Sequence, residues 1–132
     1  MSTIFSKIIN REIPGQFVYE DDVCVVLMDK FPSVPGQSLI IPKQEVNYAF
    51  DLDDETLSHL WHIAKQVALA SDKVFNTVRT CVVLEGFEVP HAHIKLYPVT
   101  NPEGGLPKIL ASTEEVDNDT LEQQAQEIRA QL

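Results

Sequence analysis

His91, His93, Lys95 and Tyr97 alternate with Ala92, Ile94 and Leu96. Strict alternation predicts a strand, here from Val89 to Tyr97, with one buried face and one exposed polar face. The polar face carries two imidazoles and an ammonium, successive groups standing about 6–7 Å apart. That array suits an anionic ligand. A neutral imidazole, with an unperturbed pKa of about 6.5, can also act as a nucleophile near neutral pH. The competing interpretation is a solvated strand face.

Other residues could complete such a site. Lys95 could stabilise charge on phosphate oxygens. Asp29, at the end of an apolar run, could accept hydrogen bonds from a pair of sugar hydroxyls, or simply cap a turn. The amide of Gln37 could bond a histidine or a phosphate. Ile4, Phe5 and Leu27 could line a slot for a nucleobase, although core is the default for such residues. Glu85 and Glu88 sit awkwardly for an anion site and could instead orient an imidazole. His59 and His62 are three apart on a predicted helix with Glu55, Gln66 and Lys73, which reads as a solvated face. A metal site there would need ligands that the neighbouring sequence does not supply.

The elements that must hold these groups follow from spacing. Ile4, Phe5, Ile8 and Ile9 predict a short helix or turn, broken at Pro14-Gly15. Residues 16–20 and 23–29 predict an antiparallel pair around Asp21-Asp22. The loop 30–36 leads to a buried strand from Ser38 to Ile41, ended by Pro42. A long helix is predicted from about Asp54 to Phe75, with Asp51 or Asp53 as N-cap and an apolar stripe of Leu57, Leu60, Trp61, Ala64, Val67, Ala68 and Phe75. Thr80 to Leu84 is a hydrophobic strand and hairpin partner of the histidine strand. Gly104-Gly105 and Pro107 mark a loop. A polar helix from an N-cap at Asp119 to Leu132 is surface-attached or frayed. The expected fold class is therefore α+β, a mainly antiparallel sheet of about five strands with one long helix and a C-terminal helix. Residues 1–110 form the domain and 111–132 a helical extension.

The chain has 132 residues, enough for one core without staples. Its net charge is −10, which opposes nonspecific binding to nucleic acid or to an anionic membrane. No apolar run approaches the ~20 residues that span a bilayer, and no charged-then-apolar leader opens the chain, so a cytoplasmic protein is expected. Cys24 and Cys81 form no CxxC pair and read as core thiols. There is no GxGxxG or P-loop.

Taken together, these segments resemble the histidine triad (HIT) superfamily of nucleotide hydrolases and transferases, over roughly residues 3–100. The resemblance rests on Ile4-Phe5-Ser6-Lys7-Ile8-Ile9-Asn10-Arg11-Glu12-Ile13-Pro14, on Glu20-Asp21-Asp22, and on residues 28–43 from Met28-Asp29-Lys30 through Pro35-Gly36-Gln37 to Pro42-Lys43. It is completed by His91-Ala92-His93-Ile94-Lys95-Leu96, set against the pattern His-φ-His-φ-His-φ-φ. The resemblance implies that His93 attacks the α-phosphate of a nucleotide, forming a covalent nucleotidyl-histidine that water or another acceptor resolves. It assigns His91 a supporting role, Asp29 to the ribose hydroxyls, and Phe5 and Leu27 to the base pocket. It also implies a homodimer with two sites, a small-molecule purine nucleotide as partner, and no cofactor or obligatory metal.

Two positions depart from the pattern. Lys95 stands in place of the third histidine, and Gln37 in place of the histidine of a Gly-His pair. Lysine supplies positive charge but not the proton relay of an imidazole at neutral pH. The expected function is thus a HIT-like phosphohydrolase or nucleotidyltransferase with His93, His91, Lys95 and Gln37 as its catalytic group. The alternative is a degenerate, catalytically weak HIT domain that binds nucleotide or a protein partner. A third possibility is a metal-binding domain using His91, His93 and His59 or His62.

Overall fold

The long helix is fixed at both ends by its own sequence. In this computed structural model, which describes residues 2–103, 105 and 108–132, helix α2 covers Asp54–Phe75. Asp53 Oδ1 accepts from Thr56 N at 2.7 Å, satisfying a free N–H of the first turn. At the other end Asn76 turns into the left-handed region with φ 51° and ends the helix. The buried stripe is Leu60, Ile63, Ala64, Val67 and Ala70. Trp61, expected within it, is 43% exposed, because it lies about 100° around the axis from Leu60.

Five strands form one antiparallel sheet in the order β1-β2-β3-β5-β4: β1 Phe17–Glu20, β2 Cys24–Met28, β3 Ser38–Pro42, β4 Arg79–Val83 and β5 Ile94–Val99. The β1–β2 turn is closed by Asp21 Oδ1, which accepts from Val23 N and Cys24 N, both at 2.8 Å. Strands β2 and β3 are buried at every position, not at alternate ones. The sheet is covered on both sides: Val26, Met28 and Ile40 pack with α2, while Val25, Leu27, Leu39 and Ile41 pack with Phe5 of α1, Ile4–Ile9.

Helix α3, Asn118–Arg129, is capped by Asp117, two residues before the expected cap. It is not frayed. Leu121, Ala125 and Ile128 are at most 1% exposed and join the core with α2 and β2. Of the loop expected at 104–107, Gly104 and Pro107 lie outside the described residues. Among the described residues no helix is long and apolar enough to cross a membrane.

The histidine strand is shorter than its alternation suggests, starting only at Ile94. The ladder pairs Ile40 with Ile94, so Pro42, which has no N–H, would come next and cannot donate. The chain leaves the sheet there, and Ala92 N donates instead to Val46 O at 2.7 Å. On the other side, Gly36 enters β3 with φ +83°, and a Cβ there would lie 2.4 Å from ring carbons of Phe75. Gly36→Ala is expected to destabilise the fold by about 1–3 kcal/mol, read as a lower urea midpoint at unchanged slope.

Candidate functional site

The polar face of residues 91–97 is not open to solvent as expected. His91 and Tyr97 are 0% exposed, His93 4% and Lys95 5%. Two distant segments cover it. Phe5 from α1 meets His93 edge-on, with ring centroids 4.9 Å apart, and His91 at 5.8 Å. From the C-terminal side, Ile109 O accepts from Lys95 Nζ at 2.7 Å and from Tyr97 OH at 3.2 Å.

Hydrogen bonding fixes the tautomer of His93. Its Nδ1 lies 2.7 Å from His91 O, and a carbonyl can only accept, so Nδ1 carries the proton. In the neutral ring Nε2 then keeps its lone pair. Burial, reinforced by the charge of Lys95, holds the His93 pKa below its ordinary 6.5, against the opposing pull of the His91 carbonyl, Glu85 and Asp29. The ring stands in the wall of a cleft of about 440 Å³, with Phe5, Leu27, Leu39, Asp29 and Lys95 also in the wall. A cleft of about 470 Å³ between Val34, Phe75 and Pro98 has no histidine or cysteine among the described residues of its lining.

His91 plays a different part. Its Nε2 donates to Pro42 O at 2.8 Å and its Nδ1 meets Thr3 Oγ1 at 2.7 Å, so both nitrogens are engaged behind His93. Asp29 accepts from Phe31 N at 2.9 Å and from Gln37 Nε2 at 2.7 Å. Burial raises its pKa, with the Phe31 N–H and Lys95 opposing. Gln37 is 1% exposed, and its Oε1 accepts from Ser33 N at 2.7 Å. Both ends of the amide are therefore occupied, and Gln37 orients Asp29 without lining the cleft. Phe5 and Leu27 form apolar wall, as their types suggest.

Glu85 was missed as a partner of Lys95. The two lie 2.7 Å apart with side chains 8% and 6% exposed, an ion pair whose alignment falls short of hydrogen-bond geometry. Burial alone would raise the Glu85 pKa, but Lys95 and the Phe87 N–H bring it below the usual value. Glu88 Oε1 is 4.0 Å from Lys95 Nζ and accepts from Ala111 N at 2.9 Å. Neither acid hydrogen-bonds an imidazole, contrary to expectation. The positive charge of Lys95 is already balanced, so the cleft attracts an anion less strongly than the sequence implies. Oppositely charged residues on adjoining segments were the available signal for this pair.

The helix histidines separate. His62 is exposed beside Gln66, whereas His59 is half-buried with Nε2 at 2.6 Å from Asp21 Oδ2. Asp21, Cys24 and His59 bring ligand-type atoms within 4.8 Å of one another. The group is already saturated: Tyr19 OH also donates to Asp21, at 2.7 Å. Against the effect of burial, these bonds and the Cys24 N–H hold the Asp21 carboxyl well below the usual range, and burial pushes the Cys24 thiol up to about 12. It clamps the β1–β2 turn to α2.

The HIT domain family model matches residues 10–100. An uncharacterized HIT-like protein of Synechococcus elongatus is 38% identical over 99 residues, spanning 71% of this chain and 87% of that protein. The solved structure of a HIT-like protein of Bartonella henselae, described as involved in cell-cycle regulation, has TM-score 0.89 at 32% identity, covering 99% of this chain and 96% of that one. One from Sulfolobus tokodaii, described as a hypothetical histidine triad nucleotide-binding protein, has TM-score 0.82 at 30% identity, covering 96% and 89%.

Proposed function

The chain belongs to the HIT domain family, and from its site we propose a nucleotide phosphohydrolase or nucleotidyltransferase in which His93 Nε2 is the nucleophile. The observation that carries this is the bond from His93 Nδ1–H to His91 O at 2.7 Å, which leaves Nε2 unprotonated. The base, a purine for preference, lies against Phe5 and Leu27, and Asp29 accepts from the ribose hydroxyls. The Nε2 lone pair forms a bond to the α-phosphorus while the bond to the leaving group breaks, and the leaving group departs with that electron pair. Water or another acceptor then attacks phosphorus and gives up its proton to the departed leaving group or solvent. The N–P bond breaks with its electron pair returning to Nε2, and the neutral imidazole is restored. Lys95 stabilises charge on the phosphate oxygens. A cleft of about 440 Å³ falls within the ordinary span for small-molecule sites.

Strand β4 is a sheet edge, with Val82 40% exposed and Val78 beside it 59% exposed, which supports a homodimer formed through that edge. Size-exclusion chromatography with light scattering is expected to give twice the chain mass.

A second reading, a nucleotide-binding domain without useful turnover, is favoured by the Lys95–Glu85 pair and by the occupied amide of Gln37. Calorimetric titration and turnover assays on one panel of aminoacyl-, phosphoramidate- and dinucleoside-type nucleotides separate the two. The enzyme binds and converts members of the panel, whereas the binding domain only binds, and gains activity when histidine is restored at positions 95 and 37. Because protonating a buried His93 needs a pH below its ordinary 6.5, the acid limb of kcat/KM is expected below 6.5.

A further inference from the structure

We propose that Thr3, backed by Ser6 and Glu45, is a positioning residue that fixes the proton arrangement of His91 and, through it, that of the nucleophile. This rests on the role of His93 proposed above. Pro42 O can only accept, so His91 Nε2 bears a proton and, in the neutral ring, Nδ1 must accept. Its partner at 2.7 Å is the Thr3 hydroxyl, which must therefore donate. The rest of the cluster favours that direction. Ser6 N donates to Thr3 Oγ1 at 3.1 Å, filling its acceptor side. The Ser6 hydroxyl donates to Glu45 Oε1, so in its contact with Thr3 Oγ1 at 3.2 Å it can only accept. The shorter 2.7 Å contact with His91 Nδ1 is the better partner for the Thr3 proton. Thr3 N donates to the same Glu45 carboxylate oxygen at 3.1 Å. Glu45 thus supplies, from a distant segment, the carboxylate that a capping box takes from within its own helix.

The result is a polarised chain of hydrogen bonds from an exposed carboxylate to a buried ring. Glu45 orients Ser6, the Thr3 hydroxyl points at His91 Nδ1, His91 Nε2–H is anchored on Pro42 O, and His91 O receives His93 Nδ1–H. The same Thr3 starts α1, which brings Phe5 against both imidazoles. Turning the Thr3 proton away would put two acceptors face to face at His91 Nδ1 or force a proton onto that nitrogen. Either outcome loosens the carbonyl that sets the tautomer of His93.

The test separates a positioning role from simple helix capping. Thr3→Asp keeps a strong N-cap but has no proton to give. Thr3→Ser keeps both functions, and Thr3→Val loses both. Nitrogen-15 NMR of the histidine rings, recorded without ligand, is expected to show His91 protonated at Nε2 only in wild type and Thr3→Ser. In Thr3→Asp, Nδ1 also gains a proton. Turnover is expected to fall roughly 10- to 100-fold in Thr3→Asp and Thr3→Val, mainly in kcat, with Thr3→Ser near wild type. Wild-type spectra in Thr3→Asp, or His91 protonated at Nδ1 in the wild type, would overturn the inference. Because the spectra need no substrate, they stand even if the chain turns over no nucleotide.

Discussion

His93→Ala is expected to lower turnover by roughly a thousandfold or more while nucleotide affinity changes little. The side chain supplies the atom that bonds to phosphorus, and nothing nearby can replace it. His91 has both nitrogens engaged, and Lys95 is paired with Glu85. Of the wall that would hold base and ribose, Phe5 loses its edge-on contact with the ring but keeps its packing with Val25, Leu27, Leu39 and Ile41. Steady-state kinetics and calorimetry on the same preparation check both halves. A variant that retains substantial turnover would remove His93 from the mechanism. One that loses binding and turnover together would make it a binding residue.

Lys95→Met is expected to cost about 3–5 kcal/mol of stability, because it leaves the Glu85 carboxylate buried without its partner. Adding Glu85→Gln should recover most of that loss, since an amide needs no countercharge. The sign of the pH dependence follows. In Lys95→Met the buried Glu85 would hold a proton more tightly than in the unfolded chain, so the deficit is full at pH 7 and shrinks as pH falls toward the ordinary 4.5. Urea denaturation at pH 7 and pH 5 reads this directly. Equal stability of wild type and Lys95→Met would mean that the pair contributes nothing. The double variant should stay impaired in turnover, because the fold recovers but the charge facing the phosphate does not.

What could be read in advance was local. The cap Asp53 and the spacing Leu60-Ala64-Val67 lie within one stretch of chain, and α2 follows from them. The β1–β2 turn likewise needed only Asp21 and the N–H groups two and three residues on. The alternation at 91–97 correctly placed His93 and Lys95 on one side but gave the wrong environment for them. Whether a polar strand face meets water depends on what is laid over it, and here the covers are Phe5 and Ile109, remote in sequence. The Glu85 partner of Lys95 and the service of Gln37 to Asp29 are close in sequence, but the turn joining each pair decides which side chains meet, and side-chain type and spacing do not give that turn's path. Thr3 looked like nothing at all, since a hydroxyl near the start of a short helix is ordinarily just a cap.

The most direct measurement is intact-mass and tandem mass spectrometry of the protein quenched during reaction with a nucleotide substrate. The expected result is one nucleoside monophosphate added per chain, localised to His93, acid-labile, and absent from His93→Ala. Rapid turnover with no adduct at any quench time, or an adduct on another residue, would contradict covalent catalysis by this imidazole.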